Sequence, residues 1–125
     1  LFASLFGDLF LEDEHGCWLL DVVAGSLTLT WDDRDGMNAA LSTDDGRQKY
    51  LLADLVMAAR GRGLMLGRDQ VYDFTHPPVL GGELEPDNLA AMDFAVALDI
   101  AGQIHGQVRD LPPGTPVDEI KIQRP

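Results

Sequence analysis

The chain has 125 residues, 46% of them apolar and 24% charged, which bounds it to one folded domain and argues against disorder. No apolar run is long enough to cross a bilayer as a helix, and no charged n-region precedes an apolar h-region. Twenty-one Asp and Glu against nine Lys and Arg leave a net charge of −12, which repels nucleic acid and anionic membranes and favours basic partners.

The charge is unevenly spread. Seven acidic side chains (Asp8, Glu12, Asp13, Glu14, Asp21, Asp32 and Asp33) occur before the first Arg or Lys, Arg34. The single cysteine, Cys17, rules out an intramolecular disulfide and reads as a small apolar strand residue in a reducing compartment, the cytoplasm.

In chain order, two short apolar runs, residues 8–11 and 17–21, flank the polar cluster Glu12-Asp13-Glu14-His15-Gly16 and predict a hairpin. After a break at Ala24-Gly25, residues 26–31 alternate polar and apolar with β-branched Thr. That pattern predicts a strand with Leu27, Leu29 and Trp31 on one face. The period then changes. Asp32 or Asp33 is placed to cap a short helix over 34–41, and Thr43, Asp44 and Asp45 offer caps for a longer one over 45–60. In the longer helix Leu51, Leu52, Leu55, Val56 and Ala59 form an apolar face, and Gly61 and Gly63 end it.

Residues 71–74 read as a fourth strand, broken by His76-Pro77-Pro78, and residues 89–92 as a last one. A second long helix over 93–109 carries Phe94, Ala97, Leu98, Ala101, Ile104 and Val108 along one stripe, stopped by Leu111-Pro112-Pro113-Gly114. The expectation is an α+β fold in which an antiparallel meander packs against two longer helices, with residues 1–116 as the domain and 117–125 as a polar tail.

Chemistry-bearing patterns are few. Glu12-Asp13-Glu14-His15 lacks the alternating oxygen spacing of a calcium loop, and Asp32-Asp33 is explained by helix capping. His15, His76 and His105 stand at no metal-ligand spacing, no serine sits in a nucleophile elbow, and no glycine loop is followed by Lys-Ser/Thr. The residues therefore point to no catalytic, metal or cofactor site. Gly102 and Gly106 leave one face of the last helix bare, flanked by Gln103, His105 and Arg109. Such a face either packs closely on a neighbour or forms a groove for a partner, with Gly102, Gln103, Gly106 and Arg109 as its residues.

Two segments carry a family resemblance. One is Phe6-Gly7-Asp8-Leu9-Phe10-Leu11-Glu12-Asp13 followed by Trp18-Leu19-Leu20-Asp21 and Gly25-Ser26-Leu27. The other is Pro77-Pro78-Val79-Leu80-Gly81-Gly82-Glu83-Leu84, followed by Asp87-Asn88, Met92-Asp93-Phe94, Ile100-Ala101-Gly102-Gln103-Ile104-His105 and residues 107–115. Over nearly the whole chain this resembles the C-terminal domain of type VI secretion immunity proteins that neutralise DNase effectors.

The resemblance implies a non-catalytic cytoplasmic antitoxin that binds a cognate toxin, a basic nuclease, and blocks its active site or its access to DNA. It also implies an N-terminal portion ahead of Leu1, of a GAD-like type. Glu12, Asp13, Glu14, Asp32 and Asp33 are the acidic candidates for the toxin-facing surface. Two other readings stay open: a general intracellular interaction domain with no toxin partner, and a small-ligand binder using the Gly102/Gly106 face with Trp18 or Trp31.

Overall fold

The computed structural model describes residues 2–111 and Ile122. A four-stranded antiparallel sheet runs in the order β1 (Phe2–Ala3), β2 (Leu9–Asp13), β3 (Gly16–Asp21), β4 (Ser26–Trp31). Three helices follow, α1 (Arg34–Leu41), α2 (Asp44–Leu51) and α3 (Ala53–Gly61). A separate antiparallel pair, β5 (Gln70–Phe74) and β6 (Leu89–Asp93), then leads into α4 (Phe94–Val108). The α+β class stands, with the last two strands forming their own ribbon. The expected stop at residues 112–114 and the tail at 117–125, Ile122 aside, lie outside the described residues.

The helix starts follow from the capping residues. Asp33 Oδ1 accepts from Gly36 N at 2.8 Å, Thr43 Oγ1 from Gly46 N at 3.0 Å and Asp93 Oδ1 from Val96 N at 3.0 Å. The single helix expected over 45–60 is instead two, α2 and α3. Leu52 breaks it in the left-handed region (φ 51, ψ 48), although neither Gly nor Pro marks the place.

Two separate cores account for the break. Tyr50 and Leu51 pack on the cluster of Phe10, Cys17 and Met37 beneath the first sheet, with Leu19, Trp31 and Leu41 around it. Leu55, Val56 and Ala59 belong to a second cluster with Phe6, Tyr72, Phe74 and Leu89. A straight helix has one apolar stripe and reaches one core; a turn at Leu52 serves both, at a backbone cost of about 1–2 kcal/mol. Gln48 Oε1 accepts from Asp54 N at 2.9 Å and so caps the restarted helix.

A second correction concerns β4. Trp18 pairs with Leu29, but its neighbour Cys17 pairs with Trp31, so Thr30 is an extra residue in the ladder. The bulge turns Trp31 to the face opposite Leu27 and Leu29. Trp31 stacks on Phe10 with ring centroids 6.1 Å apart and meets Tyr50 edge-on at 5.0 Å. Leu27 and Leu29 stay outside, 56% and 43% exposed.

The two halves are stitched by specific bonds. Tyr72 N donates to Leu5 O at 2.7 Å, and the Tyr72 hydroxyl donates to Leu64 O at 2.9 Å. Tyr72 is 2% exposed, so Tyr72→Phe should cost about 1 kcal/mol, read as a lower urea midpoint at unchanged m-value. His105 Nε2 donates to Val22 O at 2.7 Å and ties α4 to the β3–β4 turn, whose Gly25 lies against the imidazole ring with φ +74. That accounts for His105 as a half-buried helix residue.

Candidate functional site

The antiparallel register brings the five acidic candidates to one end of the first sheet. Glu12 and Asp13 close β2 opposite Cys17 and Gly16, and Trp31, just before Asp32 and Asp33, pairs with Cys17 from the other side. Gly16 allows this approach: at φ +141 it lies so close to the Trp31 and Asp32 carbonyls that a side chain would collide with both.

Within the cluster the five carboxylates do different things. Glu12 is held by Arg34, whose Nη2 donates at 2.6 Å and Nε at 3.3 Å; that pairing holds the Glu12 carboxyl below its usual range. Asp33 caps α1. Asp13 Oδ1 accepts from His15 N at 2.8 Å in the hairpin turn, and the Trp18 side chain beside it, then the turn amides, hold its carboxyl low. Glu14 stands 3.6 Å from His15 Nε2, 86% exposed, and Asp32 is exposed with no ion pair among the described residues. Glu14 and Asp32 are thus the carboxylates of this end with no structural duty.

Cys17 is buried beneath the cluster, and burial together with the Glu12 charge pushes its thiol up, away from nucleophile character. Beside it a cavity of about 290 Å³ is lined by Phe2, Phe10, Glu12, Arg34 and Met37. Among the described residues no three His, Cys, Asp or Glu side chains gather as a metal site. No helix among them is long and apolar enough to cross a membrane.

The second candidate group behaves differently. Gly102 and Gly106 are exposed on α4, and a methyl group added at either would meet no atom of a neighbouring element within 4 Å among the described residues, so close packing on that face is not seen there. Gln103 Nε2 donates to Asp99 Oδ2 at 2.7 Å along the same helix, and Arg109 is exposed at the helix end.

The recess on α4 is on its other side. Ile100, Ala101, Ile104 and His105 meet Pro77, Pro78 and Leu80 around a cavity of about 360 Å³, with Ile122 also in its wall. The Pro77–Leu80 turn is held by Asn88, whose Oδ1 accepts from His76 N at 2.8 Å and whose Nδ2 donates to His76 O at 2.8 Å and Glu83 O at 2.9 Å. The sequence motif around Pro77-Pro78 and the motif around Ile100–His105 therefore form the two sides of one structural feature, a juxtaposition that their separation in the chain hides.

The feature that sequence reading missed is the outward face of the first sheet, because the bulge at Thr30 had to be known first. With Trp31 turned inward, Leu27 and Leu29 join Trp18 and Leu20 of β3 and Leu9 and Leu11 of β2 on that face.

Comparison with curated proteins gave no match. The family model for the C-terminal region of T6SS immunity protein Tdi1 matches residues 32–105, from Asp32 at the start of the helical half through most of α4. The Pro77-Pro78 and Ile100–His105 motifs lie inside that span, whereas the segment 6–27 and three of the acidic candidates, Glu12, Asp13 and Glu14, precede it. With more than half of its length matched, the chain belongs to the family of T6SS immunity protein Tdi1 C-terminal domains.

Proposed function

We propose that this domain is a non-catalytic immunity module of the bacterial cytoplasm that binds a cognate effector, a basic nuclease, and obstructs its active site or its DNA cleft. Family membership supports the immunity role. The observation that carries the nuclease reading is the gathering of Glu12, Asp13, Glu14, Asp32 and Asp33 at one end of the sheet, in a chain of net charge −12. A cleft that holds DNA must be positive, and an acidic surface enters it quickly and competes with phosphate.

Glu14 and Asp32 carry the test, since reversing Asp33 or Glu12 also damages a cap or an ion pair. Glu14→Lys with Asp32→Lys should slow association with the toxin encoded beside this gene by about tenfold at low salt and flatten the salt dependence. Stopped-flow mixing across a salt series reads both. An unchanged rate and slope would sink the charge-steered reading.

A small-ligand role for the cavity beside α4 is supported less. Its lining is mostly apolar and its histidine Nε2 is already bonded to the Val22 carbonyl, which leaves few polar groups to select a ligand.

A further inference from the structure

The outward face of the β1–β4 sheet is apolar where a solvated face should alternate toward polar. Leu9 and Leu11 on β2, Trp18 and Leu20 on β3, and Leu27 and Leu29 on β4 are in cross-strand register there. None of the six belongs to either core cluster; α1 and α2 pack on the opposite face, against Phe10, Cys17 and Trp31. Leu27 and Leu29, on a strand that among the described residues pairs only with β3, are 56% and 43% exposed, and the other four are half-buried. Isolated exposed leucines need no explanation, but a contiguous, registered patch across three strands marks a surface built to be covered.

The charge around the patch selects what covers it. The strands contain no Lys or Arg, and Asp13, on the same face, lies with Glu14 and Asp32 at one end of the patch. A second copy on this face would set two chains of net charge −12 against each other, a general repulsion that disfavours self-association. A partner with an apolar centre and a basic margin would instead match both features, the usual anatomy of a protein interface.

We infer that the Leu9/Leu11/Trp18/Leu20/Leu27/Leu29 face is the surface on which the basic effector docks, with Asp13, Glu14 and Asp32 as its acidic margin. This rests on the immunity reading above and adds to it where the affinity resides. The acids at the sheet end govern approach; the leucines and Trp18, once desolvated, govern residence.

The test is equilibrium titration of the full chain with the purified toxin encoded beside its gene. Leu27→Ser with Leu29→Ser removes two side chains that support neither core, so the thermal midpoint should hold while the dissociation constant rises about 30-fold or more. Met57→Ser, another exposed apolar side chain but on α3, should bind like wild type. Wild-type chain failing to bind the toxin would defeat the immunity reading and this inference with it. Wild type binding, with the double serine variant binding equally well, would overturn this inference alone. A wild-type dimer in sedimentation that the same variant dissolves would assign the face to a second copy and overturn it too.

Discussion

Gly46→Ala is expected to destabilise the chain by about 2–3 kcal/mol, although alanine is the better helix former by about 1 kcal/mol. Gly46 is buried in the first turn of α2, where the chain has just turned back from α1. A methyl group there would fall inside the van der Waals surface of the Ala40 carbonyl and against the Thr43 hydroxyl. Both neighbours are fixed: Ala40 O accepts from the Thr43 hydroxyl at 3.1 Å, and Thr43 Oγ1 accepts from Gly46 N. Relief requires α2 to slide from α1, which drags Tyr50 and Leu51 off the first core. Gly61→Ala, at the end of α3 with open space around it, is the matched control and should be neutral or slightly stabilising. Urea unfolding of the two variants checks the contrast, and equal midpoints would mean that the α1–α2 turn yields more easily than its bonding indicates.

Asp8 should make the folded chain more stable as the pH falls. Its carboxyl is buried between the β1–β2 connection and the β3–β4 turn, accepting from Val22 N at 2.8 Å and from the Ser4 hydroxyl at 3.0 Å. Burial, partly offset by the Val22 bond and reinforced by the charge of Asp21, pushes its pKa up to about 6 from 3.8. The folded state therefore binds the proton more tightly than the unfolded state does. The stabilisation is complete below the unfolded value near 3.8 and is lost as the pH rises through about 6, a span of about 3 kcal/mol. Between pH 7.5 and 5, clear of the isoelectric point near 4.3, about 1.4 kcal/mol of it should appear. Asp8→Asn keeps an acceptor for Val22 N and cannot ionise, so the difference in unfolding free energy between wild type and variant should change by that amount across the interval. A constant difference would show that Asp8 titrates like an exposed carboxylate.

The bond set around Asp8 also shows why a buried acid is retained there. It joins a loop at residues 4–8 to a turn at residues 21–25, two segments with no other regular pairing, and Asp21 caps the same turn through Val23 N at 3.0 Å and Ala24 N at 2.9 Å. From the sequence Asp8 counted as one of seven unopposed acids available to a partner. The fold withdraws it from the surface, whereas Glu12 stays exposed with its charge paired to Arg34.

What the sequence by itself determined was local. The hairpin around Glu12–Gly16, the Asp33 and Thr43 caps, the strand at 71–74 and the long α4 all follow from side-chain chemistry acting within a few residues: polar turn clusters, short oxygen acceptors ahead of apolar runs, 3.6-residue periodicity. The charge asymmetry and the two motif blocks were equally legible, because they are properties of the chain before it folds. The tertiary structure alone decided three matters. It split the expected 45–60 helix at Leu52, since a continuous apolar stripe cannot face two cores, and no local residue announces that there are two. It inserted a bulge at Thr30, which reversed Trp31 and left Leu27 and Leu29 outside; period-two reasoning assumes an unbroken ladder and cannot see an extra residue. And it brought Asp32 and Asp33 beside Glu12, Asp13 and Glu14, because antiparallel register sets distances that separation along the chain does not.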